Sequence, residues 1–166
     1  MKFAILITTC VILFCVLLGG CQAGRPPLNY SGSNSTPKME SDIIGAVFDY
    51  QLKQTPLGNS YQYYFLAIGD DQDPKDALME RMKRLGYSVK KLSQATFDNQ
   101  GRVVDRETGS FGIIAKVYKV SLKTESEAEV SGSLKSDGDN HFGFVYFVFR
   151  EDDSWKVKRH KSSFIT

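Results

Sequence analysis

Proton transfer near neutral pH falls first to imidazoles, and this chain of 166 residues has two, His141 and His160. A catalytic zinc needs several His, Cys or carboxylate ligands converging on one point. Two histidines on separate extended segments, with no H-E-x-x-H, do not supply that, so neither a metal nor another cofactor is expected. His160 has the one catalytic option: on the last strand of a curved sheet it would be a general base in a pocket between sheet and helices. Strand alternation instead puts Lys156, Lys158 and His160 on one face and Trp155 and Val157 on the other. Trp155 is the better core residue, so His160 is expected in water among lysines. Together Lys156, Lys158, Arg159, His160 and Lys161 form a candidate contact for a ligand or an anionic partner such as a lipid headgroup, an anionic polymer or an acidic protein. The competing reading is a Lys-rich edge strand that resists aggregation.

Two further patterns lose their chemistry once they are placed on elements. Ser88-Val89-Lys90-Lys91 fits S-x-x-K, which needs a helical turn to bring lysine beside serine. On a strand, positions three apart point to opposite faces, so the match is taken as chance. Asp70, Asp71 and Asp73 lack the glycine and distal glutamate of a calcium loop and read as a solvated turn and helix cap. The aromatic set Phe142, Phe144, Tyr146, Phe147 and Phe149 suits a pocket lining, but in a strand it is first of all core.

The remaining reactive groups are thiols, and their placement is informative. Lys2 precedes an apolar run from Ala4 to Leu18 that contains Cys10 and Cys15, and Leu18-Gly19-Gly20-Cys21 closes it. A positive end, a short apolar stretch and small residues before a cleavage point make a signal peptide. The run is shorter than the roughly 20 apolar residues of a spanning helix. Leu18-Gly19-Gly20-Cys21 resembles the lipobox of bacterial lipoproteins. The resemblance implies removal of residues 1–20, a diacylglyceryl group on the Cys21 thiol and an acylated new amino terminus. The lipid bilayer is then the first partner, and the location is the extracytoplasmic side of the cell envelope. Gln22, where inner-membrane lipoproteins often carry Asp, implies the outer membrane if the cell has two. Cys21 would be the only cysteine left, its sulfur a thioether, so the domain must be stable without disulfides.

From Cys21 to about residue 40 the chain is rich in Gly, Pro, Ser and Asn and reads as a flexible tether. Residues 41–166 form one globular domain, at about 125 residues long enough for a single core. Loss of Lys2 leaves 20 basic against 19 acidic residues, a balance that argues against nucleic-acid partners.

Local punctuation predicts the elements. A helix spans 41–54, capped by Ser41 or Asp42, with Ile43, Ile44, Val47, Phe48 and Leu52 on one face. A strand over 61–68 is apolar enough to be buried on both sides. A second helix has Asp73 as cap, Pro74 at its first position, Ala77, Leu78, Met82 and Leu85 inward, and Gly86 at its end. A short strand over 87–92 and an extended piece at Val103 and Val104 follow. Four longer strands, 112–123, 127–134, 142–151 and 155–161, are joined by short polar turns and should pair as an antiparallel meander. The expected class is α+β, two helices on one face of a curved antiparallel sheet.

This order, ending in Ser154-Trp155-Lys156-Val157-Lys158-Arg159-His160-Lys161-Ser162-Ser163, resembles the cystatin-like or NTF2-like superfamily, whose SnoaL-like branch has similar terminal strands. Tyr63-Tyr64-Phe65-Leu66, Asp73-Pro74 and Val104-Asp105-Arg106-Glu107-Thr108-Gly109 also resemble small secreted bacterial domains of unassigned function. The usual second amino-terminal helix is missing, and no acid–base pair matches a catalytic position, so the resemblance implies a fold and no activity. The expected role is therefore binding or envelope interaction by an anchored lipoprotein. The alternatives are a SnoaL-like enzyme acting on a small molecule, or an inhibitor or immunity lipoprotein that binds another protein.

Overall fold

The computed structural model describes residues 36–138 and 141–163. Thr36 opens the domain: its hydroxyl accepts from the Met39 amide at 3.3 Å, and Pro37 takes the first helical position. Helix α1 therefore runs Pro37–Gln54, one turn longer than Ser41 or Asp42 as cap implied. Ile43, Ile44, Val47, Phe48 and Leu52 are buried as their spacing requires. Each such side chain contributes roughly 1.5–3 kcal/mol on burial.

Strand β1 (Tyr63–Ile68) is buried on both faces and is followed by α2 (Asp76–Arg84) and β2 (Val89–Lys91). The α2 cap differs from the expectation. Lys75 is the N-cap without a side-chain bond, and Asp73 instead accepts from the Ser93 amide at 2.9 Å. Leu78 and Met82 point inward with Met79, but Ala77 is exposed and Leu85 is 51% exposed. Gly86, at φ +90°, reverses the chain as a glycine there should.

A single 3₁₀ turn (Leu92–Gln94) leads into β3 (Ala95–Phe97), which pairs antiparallel with β4 (Val103–Asp105) as a separate two-stranded ribbon. Then come β5 (Gly112–Leu122), β6 (Glu127–Lys135), β7 (His141–Glu151) and β8 (Ser154–Ser163), an antiparallel meander with the expected turns. Asp152 and Asp153 make the β7–β8 turn, both at positive φ.

The large sheet has the order β2-β1-β5-β6-β7-β8, and β1 is parallel to both β2 and β5. The sheet is thus mixed, mostly antiparallel, where a wholly antiparallel one was expected. The cause lies in the connections: α2 carries the chain from β1 back to start β2 alongside it, and the ribbon does the same before β5. Only crossovers of this length permit parallel neighbours. The class is α+β, with both helices on one face of a curved sheet.

The main core lies between the helices and the inner sheet face. On the outer face, Phe65, Ala95 and Val103 form a second small core beneath the ribbon, with Tyr63, Leu92 and Ile114 around it. That cover explains why β1 is buried on both sides.

Candidate binding groove

Two β-bulges determine which side chains share a face. In β8 the pairing steps from Arg159 opposite Phe147 to Val157 opposite Val148, leaving Lys158 as the extra residue. Beyond it the alternation is inverted. His160 falls opposite Tyr146 on the inner, helix-side face, where strict alternation put it with the lysines. Its Nδ1 lies 3.0 Å from the Tyr50 hydroxyl, and its ring packs edge-on to Tyr50 and Phe144. His160 stays exposed at the sheet edge, but its company is aromatic.

The five residues of the proposed anion contact divide accordingly. Lys156 and Lys158 share the carboxylate of Glu151, whose pKa is lowered by that pairing, with Lys158 the larger cause. Arg159 and Lys161 lie over the Phe147 ring on the outer face, at 4.2 and 5.6 Å from its centroid. The structure does not gather the five into one site. Trp155 is buried at 9% exposure, as expected. Of the aromatic set, Tyr146 is core with Phe144 against it, Phe142 is 58% exposed, and Phe147 pairs with the outer-face residue Arg159. Lys91 of the S-x-x-K match is ion-paired to Asp76 at 2.7 Å. Cys21 and the segment before it lie outside the described residues, and among those described no helix is long and apolar enough to cross a membrane.

The concavity with the richest chemistry lies on the outer face, in a groove of about 1080 Å³ between the ribbon, the sheet and the turn after β1. Its floor is built by register. Ile114, Lys135 and His141 stand in one row across β5, β6 and β7, and Lys116, Ser133 and Gly143 in the next. Tyr118, the extra residue of the β5 bulge, turns its ring onto the same face. Its hydroxyl lies 2.7 Å from Ser133 Oγ and 3.2 Å from His141 Nε2. Burial, then the charges of Lys135 and Lys116, hold the His141 imidazole below its ordinary value of 6.5.

The walls carry opposite signs. Gly69 (φ +57°) and Asp71 (φ +60°) make a tight turn, closed by reciprocal Ile68 and Gln72 backbone bonds of 2.8 and 2.9 Å. That turn brings Asp71 to 2.6 Å from Lys116 Nζ and leaves Asp70 and Asp73 on the rim. The solvated turn expected for the three aspartates is present. On the ribbon side stand Phe97, Thr96 and Arg106, whose Nε donates to the Ala95 carbonyl at 2.7 Å.

Chemically the arrangement can bind and orient. Among the described residues no cluster of His, Cys, Asp and Glu is placed to hold a metal. Ser133 is 3% exposed with its hydroxyl held by Tyr118, so it is not presented as a nucleophile. Of the groove residues, His141, the aspartates and Arg106 stand in patterns legible in the sequence. Lys116, Tyr118, Ser133 and Lys135 are 19 positions apart at most, and only strand register shows that they meet. The polar side chains at alternate positions flanking the β6–β7 turn were the available signal.

No protein-family model matches this chain, and neither a curated protein nor a solved structure matches it.

Proposed function

We propose that this chain is a lipid-anchored extracytoplasmic lipoprotein, fastened at Cys21, whose single α+β domain binds a component of the cell envelope in the outer-face groove. The anchor rests on Leu18-Gly19-Gly20-Cys21 after a short apolar run; two or more acyl chains hold a protein far more firmly than one. The observation that carries the binding role is the groove itself. It combines size, both charge signs and an exposed aromatic. We assign the domain to the NTF2-like or cystatin-like type, a reading supported by α1 lying across β5 to β8.

Fractionation of cells expressing the full chain or its Cys21→Ala variant tests the anchor. The parent should sediment with membranes and incorporate labelled fatty acid, and the variant should incorporate none. A parent that takes up no fatty acid, or a variant labelled as the parent is, would overturn the lipoprotein reading.

A second reading, a SnoaL-like enzyme, is favoured by one feature: His160 sits on the helix side of the sheet with Nδ1 at the Tyr50 hydroxyl. It requires a turnover that disappears in His160→Ala and survives in Lys135→Gln, the reverse of what the groove reading expects for ligand binding.

A further inference from the structure

We propose that the groove floor between Lys116, Lys135 and His141 receives the phosphate or carboxylate group of a ring-bearing ligand, with Phe97 as the apolar wall. The proposal rests on the reading of the groove as a binding site and names the chemistry of what it takes.

Lys116 and Lys135 stand on neighbouring strands two positions apart, and His141 is directly opposite Lys135. With strands about 4.8 Å apart and a rise of about 3.4 Å per residue, the three backbone positions lie roughly 5 to 12 Å from one another. Lysine side chains easily converge over that span. Between them Ser133 and Gly143 are small, and the Tyr118 hydroxyl lies over Ser133 and reaches His141. Like charges on adjacent strand positions oppose sheet formation. Only Lys116 has a carboxylate partner among the described residues, Asp71, and the others in the cluster gain nothing from one another.

Burial and, after it, the charges of Lys135 and Lys116 disfavour the cationic form of His141, so both lysines add positive potential at its ring. An oxyanion placed beside Lys135 and His141 pairs with the Lys135 ammonium, which lacks a carboxylate partner among the described residues, while Lys116 is already held by Asp71; charge-assisted hydrogen bonds are the stronger kind. The Tyr118 hydroxyl stands beside that point, within hydrogen-bond distance of His141 and Ser133.

The groove wall selects the rest of the ligand. Phe97 is 52% exposed on the groove wall, with the Lys135 ammonium 4.9 Å from its ring centroid, and Ile114 and Leu92 add apolar surface. Asp71, paired with Lys116, and Asp70 and Asp73 on the rim repel further negative charge. A ligand with one anionic group and a neutral ring fits, and an extended polyanion does not.

His141 reports on this directly. The groups facing it are Lys135 on β6, Lys116 and Tyr118 on β5, and more distantly Arg106 from the ribbon side and Asp71 from the turn. Proton NMR of the two histidine rings in the full chain, titrated with phenyl phosphate, should raise the His141 titration midpoint saturably. His160, on the opposite sheet face, should stay fixed. Lys135→Gln should weaken phenyl phosphate binding about tenfold. Lys119→Gln, an exposed charge past the bulge, should leave binding within about twofold. Binding of neutral phenyl glucoside but not phenyl phosphate would overturn the anion site and keep the groove as a binding site. Failure of both probes to perturb His141, or unchanged affinity in Lys135→Gln, would overturn the proposal, and the former would remove support for the groove as well.

Discussion

Asp105→Asn asks whether one buried carboxylate holds the ribbon that forms the groove's outer wall. The Asp105 side chain is 1% exposed. Its Oδ2 accepts from Lys90 Nζ at 2.7 Å; its Oδ1 accepts from the Thr108 amide and hydroxyl, both at 2.9 Å, and from the Glu107 amide at 3.2 Å. Burial alone would push this carboxyl up, but Lys90 and Thr108 outweigh it and hold the group at about 2, against an ordinary 3.8. That preference for the anion corresponds to at most about 2 kcal/mol, trimmed by solvent at the Lys90 end. Asparagine keeps an acceptor toward Thr108 but turns an NH₂ toward the Lys90 ammonium, donor against donor. We expect a loss of about 2–3 kcal/mol at pH 7.

The pH dependence has a definite sign. The folded-state value is depressed, so the contribution is complete above about 3.8 and is lost as pH falls through about 2. Urea denaturation followed by the fluorescence of Trp155, the sole tryptophan, should show parent and variant well separated at pH 7 and nearly superimposed at pH 2. A loss below about 0.5 kcal/mol at pH 7, or a gap that does not narrow in acid, would refute the assignment of Asp105 as the clasp.

Other substitutions probe the packing around the site. Gly112→Ala would set a β-carbon 2.7 Å from the Tyr63 carbonyl and against the Phe65 ring, and thermal melting should report a cost of about 1–3 kcal/mol. Gln51 is buried, donates to the Tyr146 hydroxyl at 3.0 Å and has no partner for Oε1 among the described residues. Denaturation should therefore show Gln51→Leu costing about 1–2 kcal/mol alone and much less when combined with Tyr146→Phe. Asp153→Gly, at φ +60° in the β7–β8 turn, should raise stability by up to about 1 kcal/mol.

The helices were legible because their signals are local. An apolar face at helical spacing and a glycine at the α2 end lie within a few residues of what they control. Cap choice was less so, since Thr36-Pro37 and Ser41-Asp42 both suit a helix start and the longer apolar-to-polar run decides. Meander strands were legible from their short polar turns. Direction of β1 was not, because it depends on how α2 and the ribbon cross over. The two bulges had no signal in residue type, yet they settle the site: one extra residue at Lys158 moves His160 to the helix face, and one at Tyr118 points its hydroxyl at His141. A one-residue shift in a period of two reverses every later side chain. Alternation read without bulges therefore put His160 on the face of Lys156 and Lys158, and the cluster of Lys116, Lys135 and His141 was not legible because strand register brings it together.

Mass spectrometry of the intact chain purified from its own membranes tests the central claim most directly. The account requires a species that begins at Cys21, lacks residues 1–20 and carries the added mass of a diacylglyceryl group with or without a further acyl chain. A species that retains residues 1–20, or one with Cys21 as a free thiol, would contradict it.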